Sequence, residues 1–475
     1  MLTLRAKAST LCWYLMTTRK NTFLGYIKTH KLNVTSYVFV ALLAIMSAAI
    51  LFVLQHTTDT SAVSFNKAMT QDGYTLIAPT KSKTIYLVNN KGKTVHSWQT
   101  SHYPGLQTEL LPNGQLLRTY DNGNEEAFDM GGRGGGLQLI NWDGSVAWDY
   151  TYDDDTHVLH HDAEMMPNGH ILTTAWVKIP ADEALAAGVS PDTIDEKSNT
   201  VWDGTVLEID PATNEIVWQW DAFDHLVQNY DAAKPNYGEP ADYPRRIDAN
   251  YYPYATKPDW LHINAVDYNA ETDQVMISAR EFNELWIVDH STTTAQAASS
   301  VGGTYGHGGD LLYRYGSPES YGAGDDNNRV FYLQHDTQWI QDKALPGYGN
   351  VLLFSNGDKN KGHAFSEVFE LKLPQNDDGN YQMTDRGAFA PAKIVWRYAP
   401  GGTNKFYSQF MGSAQRLPNG NTLVADAMAG RAIEVNKEGD IVWSFTNHFT
   451  DEEASDNQLF RAYKYSPSYS GLTEL

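Results

Sequence analysis

Cysteine is almost missing from this chain, with one residue in 475, Cys12. It precedes the only long apolar run, so a domain folded after that run is held together without a disulfide. Basic residues are also scarce, 35 against 57 acidic, for a formal charge of -22 at pH 7. Six of them (Arg5, Lys7, Arg19, Lys20, Lys28, Lys31) stand before position 35, in a stretch with no acid before Asp59, which leaves 29 basic residues against all 57 acidic ones. So acidic a body excludes nucleic acid as a partner, because a phosphate backbone demands a basic surface. Charge is absent altogether from Ser36 to Leu54, SYVFVALLAIMSAAILFVL, 19 residues. At helical rise that covers most of a bilayer of about 30 Å. The basic flank lies on its N-terminal side. The positive-inside rule therefore predicts a cytoplasmic segment (1–35), one transmembrane anchor (36–54), a linker (55–71) and a domain (72–475) on the periplasmic or extracytoplasmic side. A cleaved signal peptide is the rival reading, but the run is long for one and no small-x-small site closes it.

What the body does contain is a repeat. A short strand ending in an apolar and tryptophan pattern recurs six times: TVHSW (94–98), SVAWDY (145–150), EIVWQW (215–220), LLYRY (311–315), KIVWRY (393–398) and DIVWSF (440–445). A second strand precedes each one across a turn rich in Gly, Asn and Asp, as hairpins require. Ahead of these pairs stands another hairpin, as in ELLPNGQLLRT, EMMPNGHILTT and QRLPNGNTLVA. Five copies of a four-stranded unit result. The sixth is split: 72–98 supplies three strands, and the tail around Leu459 to Tyr465 supplies the innermost one. The predicted fold is all-β, a six-bladed β-propeller with ring closure by both chain ends. For the tryptophans, packing between blades is the expected role. Three polar excursions (Ile179 to Thr200, Asp221 to Asp259, His290 to Gly309) are expected to crown one face.

First strands of a propeller line the channel, so their starts converge at one mouth. Three of them begin with histidine: His161, His262 and His335. Asn264 lies two residues past His262 and so on the same strand face. Arg280 ends the second strand of that blade and returns to the level of His262. Asn356 and Asp358 return likewise near His335. His160 should face away from His161. A lone histidine at a strand start is usually structural, but three in register beside an arginine form a candidate site. An arginine within the ring speaks against a metal cation. It suits a tetrahedral oxyanion such as a sulfate or phosphate ester, with one neutral imidazole as nucleophile or base.

With HHDAEMMPNGHIL (160–172), DWLHINAVDYNAETDQVMISAR (259–280), QHDTQWI (334–340), GNVLLFSNGD (349–358) and FYSQFMGSAQRLPNGNTLV (406–424), the chain resembles the bacterial aryl-sulfate sulfotransferases (arylsulfotransferases). Those enzymes use no nucleotide sulfate donor. The resemblance implies ping-pong transfer from an aryl sulfate to a phenol, with no cofactor. His335 would be the transiently sulfated residue, His161 and His262 its helpers, and Asn264 and Arg280 the holders of the sulfonyl oxygens. His161 would protonate the departing phenolate, and Asp336 or a backbone carbonyl would fix the His335 tautomer. Further substrate contacts are expected at Asn356, at a hydroxyl residue near Ser408 or Ser413, and at Trp176, Phe406 or Tyr407 around the aryl ring. Family members with an N-terminal β-domain form dimers, but too little chain lies between anchor and first blade to hold one, so no oligomeric state follows. Two rival classes are a calcium-dependent quinoprotein dehydrogenase, whose calcium-loop spacing neither Asp153–Asp155 nor 121–126 follows, and a non-catalytic envelope scaffold.

Overall fold

The computed structural model describes residues 63–123, 127–254, 257–402, 405–449 and 456–475. The predicted cytoplasmic segment and anchor, with Cys12, lie outside these residues. Among the described residues no helix is long and apolar enough to cross a membrane.

Six antiparallel sheets follow one another along the chain, and they make the predicted propeller. Their innermost strands are, in chain order, Pro104–Leu110, His157–Met165, Ile263–Asn269, His335–Trp339, Ser413–Arg416 and Leu459–Tyr465. The last of these closes the ring by pairing with Tyr74–Pro79, Ile77 opposite Ala462 and Tyr74 opposite Tyr465. We number the blade so closed the first. The sixth blade carries a fifth strand not foreseen in the sequence, Ser64–Phe65 against Trp443 and Ser444. Part of the stretch read as linker therefore belongs to the propeller, where it covers an outer edge otherwise open to pairing.

The Pro-Asn-Gly hairpins show why these residues turn the chain. In each, the glycine N–H donates to the carbonyl three residues back: Gly114 to Leu111, Gly169 to Met166 and Gly420 to Leu417, all at 2.9 Å. The asparagine side chain accepts from the backbone two residues on, at 3.0, 2.9 and 3.0 Å for Asn113, Asn168 and Asn419. Glycine takes the left-handed position, with φ of +86°, +87° and +88°. Proline sets the first turn residue, and only a residue without Cβ takes the third at no steric cost.

The outermost strands explain the tryptophan repeat. Trp148 Nε1 donates to Asn214, Trp218 Nε1 to Thr292, Trp396 Nε1 to the Lys437 carbonyl and Trp443 Nε1 to the Asn90 carbonyl, each in the next blade. In the fourth blade the Tyr313 hydroxyl does the same to Ala390, and in the first blade His96 Nε2 bonds the Trp142 carbonyl. Every blade thus reaches its neighbour through an aromatic donor at one repeat position. The indole bodies bury apolar area while their N–H groups specify the seam.

The predicted crown divides. The excursions after Ile179 and Asp221 follow a second and a fourth strand and so leave from the mouth where the inner strands begin. That after His290 follows a third strand, Glu284–Asp289, and leaves from the opposite end.

The indole bonds are separable from indole packing. Trp443 and Trp98 are equally buried, but Trp98 Nε1 has no partner. Trp443→Phe is expected to lower stability by about 1 kcal/mol more than Trp98→Phe, the net worth of one buried hydrogen bond. Urea unfolding of the two variants measures the difference, and equal losses would refute the seam role.

Candidate active site

Only His335 opens its inner strand as expected, since His161 stands four residues into the strand from His157 and His262 just before the strand from Ile263. All three strands are nevertheless irregular near their histidines. Pairing with the second strand slips between Ala163 and His160, between Ile263 and Ala265, and between His335 and Gln338. At these bulges His161 and Asp336, and just before one of them His262, adopt left-handed backbone conformations, φ +51°, +55° and +48°. For a residue with a Cβ this costs about 1–2 kcal/mol. Such bulges re-aim side chains and recur beside functional sites. One result departs from simple strand alternation: His160 does not face away but meets His161, Nδ1 to Nδ1 at 2.8 Å.

The bulges bring the predicted groups together. The His161 and His262 rings stand nearly perpendicular with centroids 4.7 Å apart. Phe460, from the closing strand, lies 6.4 Å from the His161 ring and 6.5 Å from that of His335. The Arg280 N–H donates to the His262 carbonyl at 3.3 Å, the return of the hairpin that the sequence implied. Its guanidinium bonds the Glu281 carboxylate through Nη1, while its buried Nε has no protein partner. Asn264 sits at the bulge itself, donating from Nδ2 to the Gln334 carbonyl at 2.9 Å and leaving Oδ1 unbonded.

The three histidines differ in what holds Nδ1. His335 Nδ1 meets Asn356 Oδ1 at 2.7 Å. Asn356 Nδ2 donates to the carbonyls of Ser408 and Met411 at 2.7 and 2.6 Å, which fixes the amide orientation. Asn356 Oδ1 is therefore an acceptor, His335 carries its proton on Nδ1, and Nε2 keeps a lone pair. Burial, then the positive charge of Arg280, hold His335 well below the ordinary imidazole range, against the pull of the Asn356 bond. His262 Nδ1 meets Asp259 Oδ2 at 2.5 Å, and its backbone N–H donates to Asp259 Oδ1 at 3.0 Å. A carboxylate only accepts, so here too Nε2 is the free nitrogen. Burial, then His262, His160, His335 and Arg280, hold His161 well below its ordinary value and neutral. Its ring occupies the space a side chain at Gly132 would need, within 1.9 Å of where a Cβ would sit, and the His161 backbone N–H donates to the Gly132 carbonyl at 2.8 Å.

Several expected roles move. Asn356 is fully buried behind His335, with its amide taken up by protein atoms. It does what Asp336 was expected to do, while Asp336 bonds Ala414 N and Gln338 Nε2, both at 2.8 Å. Ser413 Oγ accepts the Ala462 N–H at 3.3 Å across the seam of the sixth and first blades. Ser408 Oγ is spent on the Phe410 carbonyl at 2.8 Å. Trp176 is sealed in the core, stacked on His160 at 4.1 Å, and Phe406 packs among Phe354 and Tyr398. Tyr407 is half-buried in the loop before the sixth blade. The exposed aromatic at the arginine is one the sequence reading missed: Phe410, 46% exposed, with the Arg280 guanidinium 5.7 Å from its ring. Asp259 was missed as well, although it opens the DWLH block. Among the described residues no three His, Cys, Asp or Glu side chains form a metal-binding group.

Solved structures similar to this chain include a protein of unknown function from Bacteroides caccae (11% identity, 83% of this chain and 98% of that one, TM-score 0.45). Others are virginiamycin B lyase from Staphylococcus aureus (9%, 82% and 88%, 0.35) and the WD40 domain of Toxoplasma gondii coronin (10%, 80% and 70%, 0.36). No curated protein matches the chain. The arylsulfotransferase (ASST) family profile matches residues 65–464, from the added outer strand of the sixth blade to the closing strand. The chain belongs to the arylsulfotransferase (ASST) family, a family of enzymes.

Proposed function

We propose that this enzyme moves a sulfuryl group from an aryl sulfate to a phenol through a sulfohistidine at His335. The observation that carries the reading is a neutral, buried imidazole whose Nδ1–H is bonded to a neutral amide, with its Nε2 lone pair left free beside a guanidinium. Nε2 forms a bond to sulfur as the bond from sulfur to the aryl oxygen breaks. Arg280, whose Nε has no protein partner, and the second Nδ2–H of Asn264 hold the sulfonyl oxygens, where charge must be stabilised in a water-poor site. The departing phenolate takes the Nε2 proton of His262, which enters the cycle with a proton on each ring nitrogen. The Asp259 carboxylate on Nδ1 singles out His262 as the acid in place of His161, whose Nδ1 meets only a second imidazole. The acceptor phenol then returns a proton to His262 as its oxygen attacks sulfur, and His335 is freed. Protons and electron pairs balance over the cycle with no nucleotide and no metal. Phe410 offers the aryl ring a face. The apolar stretch 36–54 and its basic flank support an anchored enzyme working outside the cytoplasm.

Incubated with 4-nitrophenyl sulfate and a phenol, the full chain is expected to release nitrophenol and form the sulfated phenol, and His335→Ala to do neither. Donor given alone should leave one sulfuryl group on the peptide that contains His335. Release without any sulfated phenol would make water the acceptor, and no release beyond the His335→Ala control would refute the reading.

The role of Asn356 is readable by nitrogen NMR of labelled histidine. At pH 6.5, where a free imidazole is half protonated, His335 is expected to be neutral with its proton on Nδ1. Asn356→Leu should release that tautomer and slow transfer, whereas an unchanged spectrum would place the control elsewhere.

Phe410→Ala is expected to raise KM for aryl donors several-fold, corresponding to about 1 kcal/mol of lost ring contact, with kcat little altered. A loss confined to kcat would remove Phe410 from donor binding.

A further inference from the structure

Beneath the histidines lies an ionic device with no part in the steps above. Asp162 and Asp336 directly follow His161 and His335 in the chain. Arg461, from the closing strand Leu459–Tyr465, reaches both. Its Nη1 and Nη2 donate to the two Asp162 oxygens at 2.7 and 2.8 Å, and its Nε forms an ion pair with Asp336 Oδ1 at 2.8 Å without the alignment of a hydrogen bond. The three side chains are 7%, 2% and 3% exposed. Each carboxylate also caps the next blade: Asp162 Oδ2 accepts the Val266 N–H at 3.0 Å and Asp336 Oδ2 the Ala414 N–H at 2.8 Å. One guanidinium thus joins Asp162, the residue after the left-handed His161, to Asp336, which is left-handed itself and follows His335. Conformations of that kind persist only where the surroundings over-determine them.

We propose that Arg461 is a positioning residue of the transfer site, clamping Asp162 and Asp336 so that the bulges above aim His161 and His335 at the substrate. The proposal rests on His335 being the nucleophile. It also gives ring closure a chemical consequence, since the last strand of the chain completes the site built by the third and fifth blades. The charge acts in the same direction. Arg280 and His262 of the fourth blade, then Arg461, add to burial in keeping His335 unprotonated, and His161 faces it from the third blade.

The clamp is open to replacement from behind. A cavity of about 450 Å³ on the side away from the histidines is lined by Asp162, Asp336 and Arg461, together with Glu109, Glu164 and Asp267. A small guanidinium ion entering there can meet the same two carboxylates.

The test uses Arg461→Ala and Arg461→Lys in the full chain. Arg461→Ala is expected to lose on the order of 10²-fold in kcat, the usual effect of a small misplacement of reacting groups, with KM for the donor little changed. The acid limb of its rate profile should move to higher pH, because a cation has left the surroundings of an imidazole that must be neutral to attack. Methylguanidinium should restore part of the rate and tetramethylammonium none. A folded Arg461→Ala enzyme with wild-type kcat overturns the proposal, as does methylguanidinium that restores the melting temperature but not the rate. If Arg461→Ala does not fold, Arg461→Lys carries the test: it keeps the charge but loses the fork, so kcat should fall while the acid limb stays in place. Wild-type kcat in that variant overturns the clamp. Should the wild-type enzyme transfer no sulfuryl group, the function reading fails by itself. The clamp is then read from the His335 nitrogen resonances, which should shift in Arg461→Lys and would refute the clamp if unchanged.

Discussion

An innermost propeller strand has one edge with no strand to pair with, and the organisation of this channel follows from that. Backbone N–H groups on that edge are buried and must find acceptors. Here side chains of the preceding inner strand supply them: Asp162 for Val266, Glu164 for Tyr268, Asp267 for Trp339, Asp336 for Ala414 and Gln415 for Lys464. Tyr465 does the same for Leu110 through its hydroxyl. The acids that give the chain its charge are therefore not only a solvating surface. Several are the acceptors that let neighbouring blades sit edge to edge around a channel. Buried carboxylates in such numbers raise one another's proton affinity, and burial first, then neighbouring acids, push Glu109 up to about 7 despite the nearby Arg461.

Two rings of directional bonds hold the blades, carboxylates inside and aromatic donors outside. Neither needs a disulfide, which a chain with one N-terminal cysteine cannot place in the propeller. Between the rings the apolar faces of adjacent blades pack, as where Ile77 and Leu459 of the first blade meet Leu423 and Trp443 of the sixth. Apolar area provides the bulk of the stability, but it is indifferent to angle. The bonds at either radius set the angle, and with it the convergence of strand starts at one mouth. A site that works by preorganised charge needs that rigidity more than it needs extra stability.

This division explains what the sequence disclosed. The blade count was legible because the outer donor falls at one repeat position in every blade, and a tryptophan there is conspicuous. The split blade was legible because only the tail could complete a three-stranded start. The register of His161, His262 and His335 was legible because strand starts are set by the hairpins. What alternation could not supply was side-chain direction at those starts, since each bulge breaks the period of two. Hence His160 was misdirected and Asn356 was given to the substrate. Arg461 escaped notice for another reason: it lies 299 and 125 positions from the acids it joins, brought to them only by closure. Asp259 and Phe410 sit on loops, where no periodicity gives a side chain's direction.

The chemistry then rests on a distinction invisible in residue type. Three histidines at one mouth would be interchangeable if burial and shared electrostatics alone decided their behaviour. Their Nδ1 partners separate them. A neutral amide on His335 orients the ring without favouring its protonation, leaving a lone pair suited to attack. A carboxylate on His262 holds that ring by Nδ1 and suits it to give and regain a proton at Nε2. A second imidazole on His161, itself held down to about 3 by burial despite Asp259, fixes that ring against Gly132, while burial first and then His262 keep it neutral. The partners come from a loop, the position just past a second strand and an adjacent position, so no spacing rule collects them. Division of labour among like residues is thus decided one bond behind the reacting atoms, by groups that the closed ring of blades holds in place.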